Sequence, residues 1–195
     1  MLIIADIHLG KAAAFRAQGV SVPHGTTAQN LQALTYLLAQ HEVATVLFLG
    51  DFLHAKTARA APTMAAIAAW RAQHPAVQLI LVRGNHDLHA GDPPSHWGIG
   101  VVDEPHRHGP FTFCHHPAEL PGTYVMAGHV HPVFRLSKRG DSLRLPCFLL
   151  GPQRMILPSF GAFTGGFAIA PEVGDKVFVA TDDAVFAVAP LRSTP

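Results

Sequence analysis

The sequence predicts an α/β fold, and three observations predict it. Short apolar runs rich in β-branched residues or Phe recur at 2–5, 45–50, 77–82, 111–114 and 123–128, the mark of buried strands. Helical patterns separate the first three runs. All five runs lead directly into Asp, Asn or His.

Each element follows from its residues. "LIIA" (2–5) is the first strand. "TTAQNLQALTYLLAQH" (26–41) sets Leu31, Leu34, Leu37 and Leu38 on one helical face, with Thr26 or Thr27 as N-cap. "TVLFLG" (45–50) is the second strand. "APTMAAIAAWRAQH" (61–74) keeps Met64, Ile67 and Trp70 in helical register behind a Pro start. "VQLILV" (77–82) is the third strand. Strand, helix, strand in alternation predicts right-handed crossovers and a parallel sheet. Beyond about residue 98 the helical patterns stop. There "VVDE", "PVFRL", "LRLPCFLL", "KVFVA" and "AVFAVA" alternate with Gly, Pro and Asp turns, predicting a second, mostly antiparallel sheet. No linker or repeat interrupts the pattern, so residues 1–195 are expected to form one domain.

Composition narrows the class. No uncharged apolar run approaches the ~18 residues of a membrane span. "MLIIADIHLGK" has no basic n-region and carries Asp6, so it does not read as a signal peptide. Two cysteines, Cys114 and Cys147, are too few for a disulfide framework. They are expected to be buried, in a reducing cytoplasm. A net charge of +1 excludes a strong basic field. The 14 histidines equal Lys plus Arg, so the question is which of them meet in space.

The strand ends answer part of it. "LIIA" runs into Asp6 and His8, "TVLFLG" into Asp51, "LILVRG" into Asn85 and His86. "FTFC" runs into His115 and His116, and "YVMAG" into His129 and His131. Ligands of open α/β sheets bind outside the carboxyl ends of strands. The five ends therefore converge if the two sheets lie side by side. Two carboxylates, an amide oxygen and several imidazoles exceed one tetrahedral ion and lack the thiolates of structural zinc. They suit a pair of divalent Mn, Fe, Zn or Ni ions. Such pairs, ~3.5–4 Å apart, clamp the attacking and leaving oxygens of an in-line displacement. Phosphoester hydrolysis is the predicted chemistry. Strand parity places His115 with Phe111 and Phe113, and turns Cys114 and His116 away. Parity alone does not decide between the two, but it favours His115 as the ligand and His116 as a rim residue.

Other residues carry open readings. His54 is either a helix-face residue or a substrate contact. Lys11 and Arg16 either grip a phosphate or the DNA backbone, or line a solvated helix face. His24, His41, His74, His89, His96, His106 and His108 are expected to be solvated. "RLSKRG" (135–140) reads as a hairpin turn with a solvated tip. "SFGAFTGG" (159–166) lacks the strand-to-helix context of a nucleotide fingerprint and reads as a tight loop rimming the site.

The blocks "DIH" (6–8), "GD" (50–51), "GNHD" (84–87), a strand-end His and "GHVH" (128–131) resemble those of the calcineurin-like metallophosphoesterases. Across nearly the whole chain, "ADIHLGKAAAFRAQGVSVPHGTT", "LGDFLHA", "CHHP", "AGHVHP", "LRLPCF" and "FGAFTGG" are similar to the bacterial ligase-associated DNA damage response endonucleases, the PdeM group. The resemblance implies a four-layer α-β-β-α sandwich, two mixed sheets packed face to face with flanking helices. It also implies a further N-terminal edge strand that these residues do not contain. Asp6, His8 and His131 are implied to hold one metal, and Asn85, His115 and His129 the other. Asp51 bridges them, with a hydroxide between the ions as nucleophile. His86 acts on the scissile phosphate and Asp87 orients it. Two Mn ions are the implied cofactors, DNA the implied substrate, and a DNA ligase and a helicase the implied partners. Two divalent ions would bring the charge to about +5, focused in a cleft. The competing expectations are a phosphodiesterase or phosphatase for nucleotides, and a non-catalytic scaffold of the same fold. The scaffold would be signalled by loss of ligands or of His86, and all are present.

Overall fold

The computed structural model describes residues 1–138 and 141–188. Leu2–Ala5 (β1), Thr45–Leu49 (β2), Gln78–Val82 (β3) and Ile99–Val102 (β4) form a parallel sheet in that order. Parallel neighbours need crossovers, which helices supply. Lys11–Ala17 (α1) and Thr26–Gln40 (α2) lie between β1 and β2, and Ala61–Gln73 (α3) lies between β2 and β3. A short helix, Asn85–Ala90 (α4), follows β3. Helix α2 starts after Gly25, and its expected cap is otherwise engaged: Thr27 Oγ1 accepts from the Gly10 N–H at 3.1 Å.

Alternation along the strands makes two apolar layers. Ile4, Val46, Phe48, Leu79 and Leu81 face the helices and pack on Leu31, Leu34, Ile67 and Trp70. Ala5, Leu47, Leu49 and Val82 face the second sheet and meet Phe113, Leu157, Met126, Phe148 and Met155. Val46 to Leu49 are all 0% exposed, so β2 is buried on both faces. Each large side chain so buried contributes about 1.5–3 kcal/mol.

The second sheet contains His106–His108 (β5), Phe111–Cys114 (β6), Tyr124–Ala127 (β7), Pro132–Lys138 (β8) and Asp141–Leu150 (β9). Arg154–Ile156 (β10), Phe167–Ala168 (β11), Lys176–Ala180 (β12) and Val185–Ala187 (β13) complete it. Its order is β11-β8-β9-β10-β7-β6-β5, with β12 also on β9 and β13 on β12. It is more mixed than the turn pattern suggested: β6–β7, β7–β10 and β8–β11 are parallel, and the start of "VVDE", expected here, pairs with β3 as β4 of the first sheet. The segment 115–123 between β6 and β7 is too long for a hairpin turn, and it crosses over instead. Of the histidines expected to be solvated, His106 and His108 lie on β5, the first partly buried and the second exposed. The tip of the expected hairpin turn, residues 139–140, and the end of the last expected strand, residue 189, lie outside the described residues.

The expected two-sheet sandwich is therefore present, with helices on the outer face of the parallel sheet. Among the described residues no helix follows the 3₁₀ turn Ser95–Trp97. Leu120, Val130, Ile169 and Val188 cover the outer face of the second sheet instead. Cys114 and Cys147 belong to that face, and burial pushes both thiols up to about 11. A cavity of about 930 Å³ runs along the β1 edge between Tyr36, Leu37, Phe148 and Val185. It is lined by none of the strand-end ligand residues.

Asn30, 4% exposed, ties three segments together. Its Nδ2 donates to the Ile7 carbonyl at 3.0 Å and its Oδ1 accepts from the Ala162 N–H at 2.9 Å. Asn30→Ala leaves both groups without these partners, and a loss of about 2 kcal/mol is expected. Urea denaturation checks it by a lower midpoint at unchanged slope. The two thiols are expected to resist iodoacetamide in the native protein and to react fully in denaturant, read by mass spectrometry.

Candidate metal centre

The residues that follow β1, β2, β3, β6 and β7 meet at one end of the sandwich. The backbone there is unusual. Asp6, His8, Asp51, His129 and His131 all have positive φ, between 47° and 68°. Among the described residues these are the only non-glycine positions with positive φ. Such conformations cost about 1–3 kcal/mol each and persist only where the surroundings enforce them. Long-range contacts enforce them here. Asp6 Oδ2 accepts from the His129 N–H at 2.9 Å, and the Asp6 carbonyl accepts from Ser159 Oγ at 2.8 Å. Asp51 Oδ1 accepts from the His86 N–H at 3.0 Å, and its carbonyl accepts from the His8 N–H at 2.8 Å.

Three groups of donor atoms result, of which His8, His54 and His86 form one and His115, His116 and His129 another. Asp6, His8, Asp51 and His131 form the third. His8 Nε2 is 3.4 Å from His131 Nε2 and 3.5 Å from Asp51 Oδ2. His131 Nε2 is 3.3 Å from Asp6 Oδ1, which is buried and has no hydrogen-bond partner. The His115 group centres on His115 Nε2, which lies 2.9 Å from Asn85 Oδ1, 3.0 Å from His129 Nδ1 and 3.6 Å from Asp51 Oδ1. Asp51 thus presents one oxygen to each of these two groups.

Backbone carbonyls decide which nitrogens are free. A carbonyl can only accept, so a ring nitrogen bonded to one carries the hydrogen. His115 Nδ1 donates to Leu49 O at 3.0 Å, and His131 Nδ1 to Gly165 O at 3.2 Å. Their Nε2 lone pairs therefore point at other acceptors. The Asn85 amide oxygen faces the His115 lone pair with no hydrogen between them. His8 is held neutral, its pKa driven far down by burial and then by Lys11, His131, His54 and His86. His129 is lowered by burial and by His115 and His116, against the opposing pull of Asp51 and Asp6. Facing lone pairs repel unless a cation lies between them. This donor set fits divalent metal ions, with carbonyls orienting the imidazoles from behind.

The remaining predicted residues divide. His86 Nδ1 donates to the His54 carbonyl at 2.6 Å, and its Nε2 lies 4.0 Å from Asp51 Oδ2. His54 stacks on that ring at 4.6 Å and sits 3.3 Å from His8, Nδ1 to Nδ1. Burial, His86 and Lys11 lower His54 to about 4, so it is neutral at pH 7. Lys11 is half-buried beside the carboxylates. Burial lowers its pKa, and Asp51 and Asp6 pull it back up. Arg16 does not reach this group in the structure: its guanidinium donates to the Pro23 carbonyl at 2.9 Å. Asp87 makes no contact with the His86 ring. It accepts from the Phe52, Leu53 and Gly84 N–H groups, and burial raises its carboxyl to about 6. The role expected of Asp87 in orienting His86 falls to the His54 carbonyl.

One residue was missed. Glu104 Oε2 accepts from the His115 and His116 N–H groups at 2.7 and 2.9 Å, and Oε1 bonds His116 Nδ1 at 2.7 Å. His116 is exposed at the rim as expected, yet its ring lies 4.4 Å from that of His129. Parity predicted its direction only while the strand lasted, and β6 ends at Cys114. No local sequence signal marks Glu104.

Residues 1–148 match the sequence profile of the calcineurin-like phosphoesterases. The chain belongs to that family. Membership places it among the hydrolases of phosphoric esters, a family that uses divalent metals. The fold also matches the crystal structure of Pseudomonas putida nuclease MPE, with a TM-score of 0.84 and 45% sequence identity. That match covers 95% of this chain and 86% of that one. No curated protein sequence matches. No helix among the described residues of this phosphoesterase is long and apolar enough to cross a membrane.

Gly50 shows how tightly the centre is built. Its φ is 76°, and a Cβ there would collide with the His115 ring. Gly50→Ala is expected to lower stability by more than about 1 kcal/mol and to displace His115. Its thermal melting midpoint should fall by several degrees, and an unchanged midpoint would show that the ring is not packed there.

Proposed function

We propose that this phosphoesterase is a metal-dependent phosphodiesterase that cleaves nucleic acid at a dinuclear centre. One observation carries the proposal: two adjoining sets of unshared lone pairs with Asp51 between them. Asp6, His8 and His131 would hold one ion, and Asn85, His115 and His129 the other, with Asp51 shared. Manganese is the proposed ion, and iron, zinc or nickel suit the same oxygen and nitrogen donors. Bound there, divalent ions supply Lewis acidity to the phosphoryl oxygens and a water of lowered pKa.

The protein's own groups bind and orient the ester. Lys11, next to the carboxylates, draws an anion into the cleft. The His54 carbonyl fixes the His86 ring, so Nε2 faces the cleft and, once protonated, donates to the leaving oxygen. Neutral His54 stacks behind His86 and helps exclude water. Asp87 acts as a positioning residue by joining the Phe52–Leu53 loop to the start of α4. Likeness to a nuclease of 45% identity supports nucleic acid as the substrate. The family resemblance extends the proposal to DNA repair in the cytoplasm, beside a DNA ligase and a helicase.

A second reading, hydrolysis of a nucleotide ester, is favoured by one feature. A cavity of about 410 Å³ reaches His131 and is lined by Gln29, Phe160, Thr164 and Asp182. It has the size and mixed polarity to seat a base.

The test is a panel with Mn²⁺: bis-p-nitrophenyl phosphate, cyclic nucleotides, and single- and double-stranded DNA. DNA cleavage that EDTA abolishes is the expected result. His86→Ala is expected to lower kcat by about 10²–10⁴. Nucleotide turnover without DNA cleavage would transfer the proposal to the second reading. Metal analysis separates the neighbours: His115→Ala should lose an ion, while His116→Ala keeps both. Equal loss in the two variants would overturn the ligand assignment.

A further inference from the structure

The stem of the β8–β9 hairpin carries charge that the metal centre does not use. Arg135 and Arg144 stand directly opposite each other in the antiparallel register, and both are exposed. Like charges at such positions oppose pairing. The arginine ion pairs among the described residues belong to Arg83 and Arg154, so no carboxylate neutralises this pair. Each guanidinium has one anchoring contact. Arg135 donates to Ser142 Oγ at 3.3 Å, and Arg144 donates to the Gly166 carbonyl at 2.6 Å. With five N–H donors on each group, most remain free to be offered outward.

The pair is also close to the centre along the chain. The Gly165 carbonyl accepts from His131, and the next carbonyl, that of Gly166, accepts from Arg144. Val133 shares a strand face with Arg135, and Gly166 packs against Val133. The two arginines therefore extend the face on which the Gly-rich loop lies. Strand β8 begins immediately after His131. From His131 to Arg135, an extended strand covers about 13 Å, roughly the length of four nucleotides in one strand of a duplex. Residues 132–146 also contain Lys138 and Arg139, against the single acid Asp141, in a chain of net charge +1.

We propose that this stem is a docking arm for the sugar-phosphate backbone of the nucleic-acid strand whose scissile ester lies at the metal centre. The proposal rests on the nuclease reading above. In the sequence the basic run looks like a solvated turn, because the cross-strand register that stacks its arginines is not visible there. Phosphate oxygens supply the counter-charge the pair lacks and accept forked guanidinium bonds. Such contacts position a strand without reading its bases.

The test is binding of a labelled single-stranded oligonucleotide in EDTA, followed by fluorescence anisotropy across a salt series. Arg135→Ala/Arg144→Ala is expected to weaken binding about tenfold near 0.1 M salt and to reduce the slope of log affinity against log salt by about 1–2. Arg135→Lys/Arg144→Lys is expected to retain the slope, which separates lost charge from lost fold. An Ala pair that binds like the wild type, or a Lys pair that falls with it, overturns the arm. Cleavage by the wild-type protein with Mn²⁺ is followed separately. Failure there sinks the nuclease reading, whereas the binding series alone decides the arm.

Discussion

Nitrogen and oxygen donors crowded together at the strand ends set the terms for this protein. His115 Nε2, Asn85 Oδ1 and Asp51 Oδ1 crowd one point, and His8 Nε2, His131 Nε2, Asp6 Oδ1 and Asp51 Oδ2 crowd a second. Left alone, such groups would rotate into water. His115, His131, Asp6 and Asp51 cannot, because each is anchored from behind. Leu49 O and Gly165 O hold two imidazoles, and backbone N–H groups hold both carboxylates. The left-handed backbone at Asp6, His8, Asp51, His129 and His131 is the cost of that arrangement. At about 1 kcal/mol or more each it totals on the order of 5 kcal/mol, comparable with the net stability of a whole domain.

The sandwich supplies what offsets it. β2 is buried on both faces, so the strand that leads into Asp51 cannot shift without exposing Phe48 to the helices' side or Leu47 and Leu49 to the second sheet's. Phe113 plays the same part for His115. It packs into the layer between the sheets, and the next residue on that face is the ligand candidate itself. Gly50 and Gly84 then let β2 and β3 approach His115 and Asp51 more closely than any side chain would allow. Asp87 stays buried because its carboxylate joins three backbone N–H groups of the neighbouring loops. Rigidity of the strands and tolerance of strain at their ends are one design.

Function follows from the same geometry. Burial that holds His8 and His54 neutral at pH 7 keeps their lone pairs available, and Lys11 lies beside Asp51 and Asp6. The His54 carbonyl aims His86, so a residue that looked like a substrate contact in the sequence also sets the angle of its neighbour. The hairpin that leaves the centre at His131 carries the facing arginines Arg135 and Arg144.

Much of this was legible without coordinates. Apolar runs ending in Asp, Asn or His located the strand ends, and helical spacing placed the two long helices to within a residue. These are local properties, fixed by side-chain period and the residues that break it. Thr27 and Asp87 have partners other than those expected, because those partners are backbone N–H groups that carry no residue identity. Glu104 and the Arg135–Arg144 pair were invisible for a related reason: their meaning lies in register. Asp6 and His129 are hydrogen-bonded across 123 residues of chain. Residue types alone determined the family, the fold class and the kind of atoms brought to the centre. Only tertiary structure decided which lone pairs face each other, since that depends on backbone angles imposed from the far end of the chain.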